Sequence, residues 1–168
     1  MRPQFIQSLR VAALCLLSCV GSAAIALEPG EVAPVLPLAG VSGPQPVPVA
    51  GKLTYVDFWA SWCGPCRKSF PWMNEMHRKY ASKGLAVVAV NLDQERSDAD
   101  GFLAKIPAEF PIAFDPSGEA PTRYGVKGMP TSFLVGADGK VLEVHAGFNE
   151  KDAATLEEMI QRHLGAAP

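Results

Sequence analysis

The sequence predicts one mixed α/β domain with a central sheet flanked by helices. Three observations lead there. Leu53–Trp59 is β-branched and aromatic and Leu85–Leu92, "LAVVAVNL", is a second largely apolar run, as strands covered on both faces are. Segments of helical spacing lie between and after such runs, giving the order βαβαβαββα of a layered α/β domain. The chain has 168 residues, 48% of them apolar and 19% charged, which suffices for one domain with a sizeable core.

Each element has its own justification. Residues 27–50 are rich in Pro and Gly and lack a helical period, so they form an extension with short strands expected at Val35–Leu38 and Val47–Val49. The domain proper is expected over residues 51–168. Its first helix runs over Pro65–Lys83, with Phe70, Met73, Met76, His77 and Tyr80 at helical spacing, Gly84 as its stop and Pro71 as a kink. After the strand Leu85–Leu92 comes a short helix, Ser97–Ile106, with Ser97 as N-cap. Phe110–Asp115 is a short strand and Ala120–Tyr124 a single helical turn. Thr131–Val135 and Val141–Ala146 are strands joined by the hairpin signal "GADG". Glu150–Leu164 closes the domain as a helix capped by Asn149.

Residues 1–26 have the pattern of an export signal: Arg2 and Arg10 at the front, an apolar run Val11–Val20 too short to span a bilayer, and the small-x-small site Ala24-Ile25-Ala26. Cleavage near Ala26 would leave a soluble periplasmic protein. A second reading takes "LLSC", Leu16–Cys19, as a lipobox and Cys19 as a lipid anchor; a third leaves the segment uncleaved as a tether. All three put the domain outside the cytoplasm, where disulfides form. Cleavage at Ala26 removes Cys15 and Cys19 and takes the net charge from −2 to −4. No basic stripe exists, so nucleic acid is not an expected partner.

The two remaining cysteines, Cys63 and Cys66, are separated by Gly64-Pro65 and stand where a strand feeds a helix. A helix N-terminus offers unpaired N–H groups and positive potential, which favour thiolate, the attacking species in disulfide exchange. Cys66, inside the first turn, is shielded, so the geometry divides attack from resolution. Other readings are weaker on chemistry. Structural zinc needs four ligands, and His77, His145 and His163 lack ligand spacing. Haem attachment needs a His where Arg67 stands. A structural bridge across two residues closes too small a loop to stabilise much. Asp57 is the odd residue of its strand. Buried, its carboxyl would be pushed up in pKa and suited to carrying a proton; on an edge strand it would simply be exposed.

"VDFWASWCGPC", followed by Pro71 and by "YGVKGMPTSFLV", resembles the thioredoxin superfamily over about Gly51–Leu164. The N-terminal extension and the segment Asp93–Asp115 are similar to the extra hairpin and central insertion of its TlpA/ResA-like branch, exported bacterial thiol-disulfide reductases. The resemblance implies a thioredoxin-like fold, a redox disulfide Cys63–Cys66, and catalytic roles for Cys63, Cys66, Asp57 and a cis Pro130. It also implies a substrate groove formed by Trp62, Gly64, Pro65, Met129, Thr131 and Gly147, and no metal or other cofactor. Two positions depart from the family pattern. Ala89 stands where some members carry a Lys beside the buried Asp, and Met129 replaces the usual Ile, Thr or Val before the cis-proline. The expected activity is reduction of protein disulfides, with apocytochrome c or copper-site assembly proteins as candidate substrates and a membrane thiol protein as electron donor. Alternatives are an oxidase or isomerase of the same chemistry, or a copper metallochaperone, for which His145 would be a poorly placed third ligand.

Overall fold

The computed structural model describes residues 26–165. The expected leader, with Cys15, Cys19 and the candidate lipid anchor, lies outside the described residues. Among the described residues no helix is long and apolar enough to cross a membrane.

Seven strands form one mixed sheet: β1 (Leu36–Gly40), β2 (Gly43–Val47), β3 (Leu53–Trp59), β4 (Leu85–Asn91), β5 (Ile112–Phe114), β6 (Thr131–Val135) and β7 (Val141–Ala146). Their order is β2-β1-β5-β4-β3-β6-β7. The central strands β3, β4 and β5 run parallel, while β6 pairs antiparallel with β3 and with β7. All seven residues of β3 are buried, its polar Thr54 and Asp57 included, and β3 lies between β4 and β6, so Asp57 is not an exposed edge-strand residue.

The N-terminal extension is part of this sheet. Strand β1 pairs antiparallel with β5, and the β1–β2 hairpin turns at Gly40–Gly43. The second strand lies earlier than the expected Val47–Val49, over Gly43–Val47. Pro44 and Pro46 hide it from a propensity reading, yet β2 is an edge strand, where a missing N–H costs no ladder bond.

Four helices cover the sheet: α1 (Cys66–Tyr80), α2 (Arg96–Leu103), α3 (Glu119–Tyr124) and α4 (Ala153–Gly165). Side chains of α1, α2 and α4 pack in one core layer with Leu53, Tyr55 and Trp59; α3 packs in the other, with Val56 and Phe58. Three helices differ from expectation at their ends. Helix α1 gives way to a 3₁₀ turn, Ala81–Lys83, before Gly84 closes it at φ 103°, a conformation that favours glycine. Ser97 lies inside α2, which starts at Arg96 after the extended Glu95 and ends at Leu103, three residues short of Ile106. Helix α4 starts at Ala153. Asn149 instead closes a turn in which its N–H and side-chain amide donate to Asp152 Oδ2, and Asp152 O accepts the Leu156 N–H.

Trp59, Phe70 and Phe102 meet pairwise with ring centroids 4.7–4.9 Å apart, and Phe110 lies 5.5 Å from Phe70. These contacts, each worth about 0.5–1.5 kcal/mol beyond burial, join the end of β3, the first half of α1 and α2. The loop carrying Cys63 is suspended between the first two.

Candidate active site

The site begins where β3 leaves the sheet. The segment Ala60–Pro65 turns the chain from Trp59 into α1, and the Cys63 N–H donates to the Ala60 carbonyl at 3.0 Å. Cys63 and Cys66 are joined as a disulfide, with Cα atoms 5.3 Å apart. Pro65 stands one place earlier than a first helical residue: it is the N-cap of α1, with φ −62°. No side-chain cap and no acidic residue occupies the first turn of α1, whereas Arg67 and Lys68 do. The helix end therefore keeps its positive potential, and the Cys66 N–H donates to Cys63 Sγ at 3.3 Å. Cys66 is completely buried.

The two faces of β3 place Asp57. Tyr55 and Trp59 point to the α1 layer, and Val56 and Phe58 to the other, so Asp57 faces the layer that holds both cysteines. Its cross-strand neighbours are Ala89 on β4 and Ser132 on β6. Ala89 thus does stand beside Asp57, and it supplies no charge. The Asp57 carboxyl is 2% exposed, and its Oδ2 has no hydrogen-bond partner among the described residues. Burial pushes its pKa well above the ordinary carboxylate range. Next to it the Tyr55 hydroxyl donates to Ser132 Oγ at 2.8 Å. Burial and the Asp57 charge both raise the Tyr55 pKa.

The loop before β6 carries the other expected residues. The Met129–Pro130 bond is cis. Met129 packs against the core layer that contains Cys63 and Cys66. Thr131 Oγ1 donates to the Gly128 carbonyl at 2.7 Å, and the Gly147 N–H donates to the Pro130 carbonyl at 2.8 Å, with Gly147 at φ 84°. Gly128–Thr131 and the end of β7 are therefore one unit. Trp62, Gly64, Pro65 and Gly147 are exposed, Met129 is half-buried, and Thr131 and Pro130 are buried. His145 pairs with Ser132 across β6–β7, and its Nε2 lies 3.7 Å from Asp152.

One part of the site escapes sequence reasoning. Asp93, just beyond β4, accepts from the Ser61 N–H at 2.9 Å, from Ser61 Oγ at 3.0 Å and from Asn91 Nδ2 at 2.8 Å. Arg67 donates to the Ser61 carbonyl at 3.2 Å, so Ser61 is held from both sides. A polar Asn-x-Asp at the end of a buried strand was the available signal. Replacing Asp93 with Ala strands the Ser61 and Asn91 donors, and unfolding in urea should show a loss of about 2–4 kcal/mol. A loss below about 1 kcal/mol would show that this carboxylate does not hold the loop.

The comparisons with known proteins agree with this geometry. The family model described as Redoxin matches residues 45–160. The thiol-disulfide oxidoreductase ResA of Bacillus thuringiensis subsp. konkukian is 38% identical over 112 residues, 67% of this chain and 64% of that protein. The match thus spans less than two thirds of that relative's length. The ResA of Geobacillus thermodenitrificans is 31% identical over 141 residues, 83% of this chain and 78% of that protein. Among solved structures, a protein assigned as the thiol:disulfide interchange protein DsbE of Chlorobium tepidum shares 54% identity with a TM-score of 0.81, over 83% of this chain and 99% of that one.

Proposed function

The chain belongs to the redoxin family, and from that premise we propose that it is a thiol-disulfide oxidoreductase that reduces disulfides in other proteins. The observation that carries this reading is the asymmetry of the pair: the Cys66 N–H is aimed at Cys63 Sγ, and Cys63 keeps 4% of its surface exposed while Cys66 keeps none. Cys63 is the nucleophile: its thiolate attacks one sulfur of a substrate disulfide, a mixed disulfide forms, and the other substrate sulfur leaves as thiolate. Cys66 then loses its proton to Asp57 and attacks Cys63 Sγ. The second substrate thiol leaves, and the chain is left with the Cys63–Cys66 disulfide. Two electrons have passed to the substrate, and its two thiolates take up protons from solvent, which receives the proton Cys63 lost on ionising and the one Asp57 gives up after resolution. Trp62, Gly64, Pro65, Met129, Thr131 and Gly147 form the surface on which the substrate backbone lies, with Pro130 fixing the loop.

The domain works outside the cytoplasm, delivered by the N-terminal segment, either as a soluble periplasmic protein or tethered through Cys19. A membrane dithiol protein returns the pair to its reduced state. Apocytochrome c and copper-site assembly proteins are substrates of fitting chemistry. The resemblance to the thioredoxin superfamily, whose reductants carry Gly-Pro between the cysteines as Gly64-Pro65 does here, favours the reducing direction over the oxidising one. Equilibrating the pair against glutathione tests that direction. A potential near thioredoxin's figure of about −270 mV is expected, whereas one near about −120 mV, a strong oxidant's value, would overturn it.

A further inference from the structure

A groove of about 260 Å³ is lined by Trp62, the residue before Cys63, together with Ser61, Arg67, Asp98, Phe102 and Lys105 among others. Trp62 is 72% exposed at its edge. A polypeptide with its disulfide at Cys63 must therefore cross Trp62 or leave on the opposite side of α1.

The groove differs in charge from the molecule around it. The chain carries a net charge of −2, yet the groove sets two cations, Arg67 and Lys105, against one carboxylate, Asp98. Neither cation has a carboxylate partner among the described residues, and neither has Asp98. Arg67 is nonetheless held in place: its guanidinium lies 5.3 Å from the centroid of the Phe102 ring and donates once, to the Ser61 carbonyl. A guanidinium has five N–H donors, so most of its hydrogen-bonding capacity is open to a ligand. On the other flank of α1, a groove of about 400 Å³ bounded by Trp72 and Phe148 sets Lys68 against Glu75 and Glu150. The two grooves along α1 thus have opposite sign.

We propose that the groove beside Trp62 is a subsite for an aspartate or glutamate side chain of the substrate polypeptide, near in sequence to the cysteine that Cys63 attacks. The proposal rests on the disulfide-reductase reading above and adds a substrate class and a direction to it. The acidic residue lies in the groove of Arg67 and Lys105, and the chain leaves toward Phe148. Arg67 fixes the carboxylate, Lys105 adds attraction, and Asp98 repels, which favours ligands that lie along the Arg67 side.

Two peptides test it, each with one intramolecular disulfide and alike except for Glu or Gln beside one cysteine. The reduced full-length protein is expected to reduce the Glu peptide roughly three- to tenfold faster in kcat/KM, mainly through KM, with the preference shrinking as salt rises. In Lys105→Glu the Glu-to-Gln ratio should fall to one or below, and in Asp98→Asn it should rise. The ratio is insensitive to a general loss of folded protein, which lowers both rates together. Equal rates in the unaltered protein, or a ratio unmoved in both variants, would overturn the subsite while leaving the reductase reading intact. Failure to reduce either peptide, or a small disulfide such as hydroxyethyl disulfide, would overturn both.

Discussion

Replacing Cys66 with Ser is expected to stop the reaction at the mixed disulfide. The first step needs only Cys63, whose sulfur receives the Cys66 N–H, and a Ser at 66 keeps that amide. The second step needs a thiolate at 66, and a hydroxyl there is not ionised at neutral pH. Multiple-turnover reduction of a protein disulfide should fall by about 10³-fold or more, because the two thiols act as a unit. Substrate should accumulate as a covalent adduct of defined mass, released by dithiothreitol. Cys63→Ser should give no adduct, since Cys66 is completely buried inside the first turn of α1. If Cys66→Ser yields no adduct with an extract of exported proteins, or Cys63→Ser yields one, the assignment of nucleophile and resolver is wrong. The trapped species would also identify partners and allow a direct search for acidic residues beside the captured cysteine.

Much of this architecture was legible because local signals and tertiary demand agree. β3 and β4 are both recognisable as buried strands, and every residue of β3 is buried. Helix α1 keeps Phe70, Met73, Met76 and Tyr80 on its core side, as their spacing requires. Where expectation and structure part, a neighbour decides. Strand β2 tolerates two prolines only because nothing pairs with its outer edge. Asn149 would cap a helix alone, but Asp152 three residues on takes its N–H and moves the helix start to Ala153. Elements whose limits depend on a second segment cannot be bounded from their own residues.

The site divides the same way. The cysteine pair and the proline loop are sequence motifs and were found as such. The Asp93–Ser61 contact joins residues 32 positions apart, and no motif marks it. The register was partly legible. Setting Asp57 against Ala89 was an inference from resemblance, and the β3–β4 ladder gives the same pairing. The β6 ladder adds what the sequence did not show, namely that Ser132 occupies the other side of Asp57 and is hydrogen-bonded to Tyr55.

Asp57 therefore has no cationic neighbour in register, and its titration should be visible in both stability and rate. In the unfolded chain an aspartate titrates near 3.9; in the folded domain burial raises that value well above the ordinary range. Between the two pKa values the native state holds a proton that the unfolded state has released. Stability is therefore fullest below the unfolded pKa, falls by about 1.4 kcal/mol per pH unit as pH rises, and levels off above the folded pKa. Asp57→Asn keeps the shape and cannot ionise, so it should remove that slope and be more stable than the parent near neutral pH, read from urea unfolding between pH 4 and 9. In the proposed mechanism the same change removes the acceptor for the Cys66 proton. Resolution of a mixed disulfide should slow by about 10²-fold near neutral pH and recover as alkaline pH ionises Cys66 directly. A variant that gains stability while losing rate separates proton transfer from damage to the fold. An unchanged slope would mean that Asp57 is not the buried titrating group, and an unchanged rate at pH 7 would leave Cys66 to lose its proton to solvent without help.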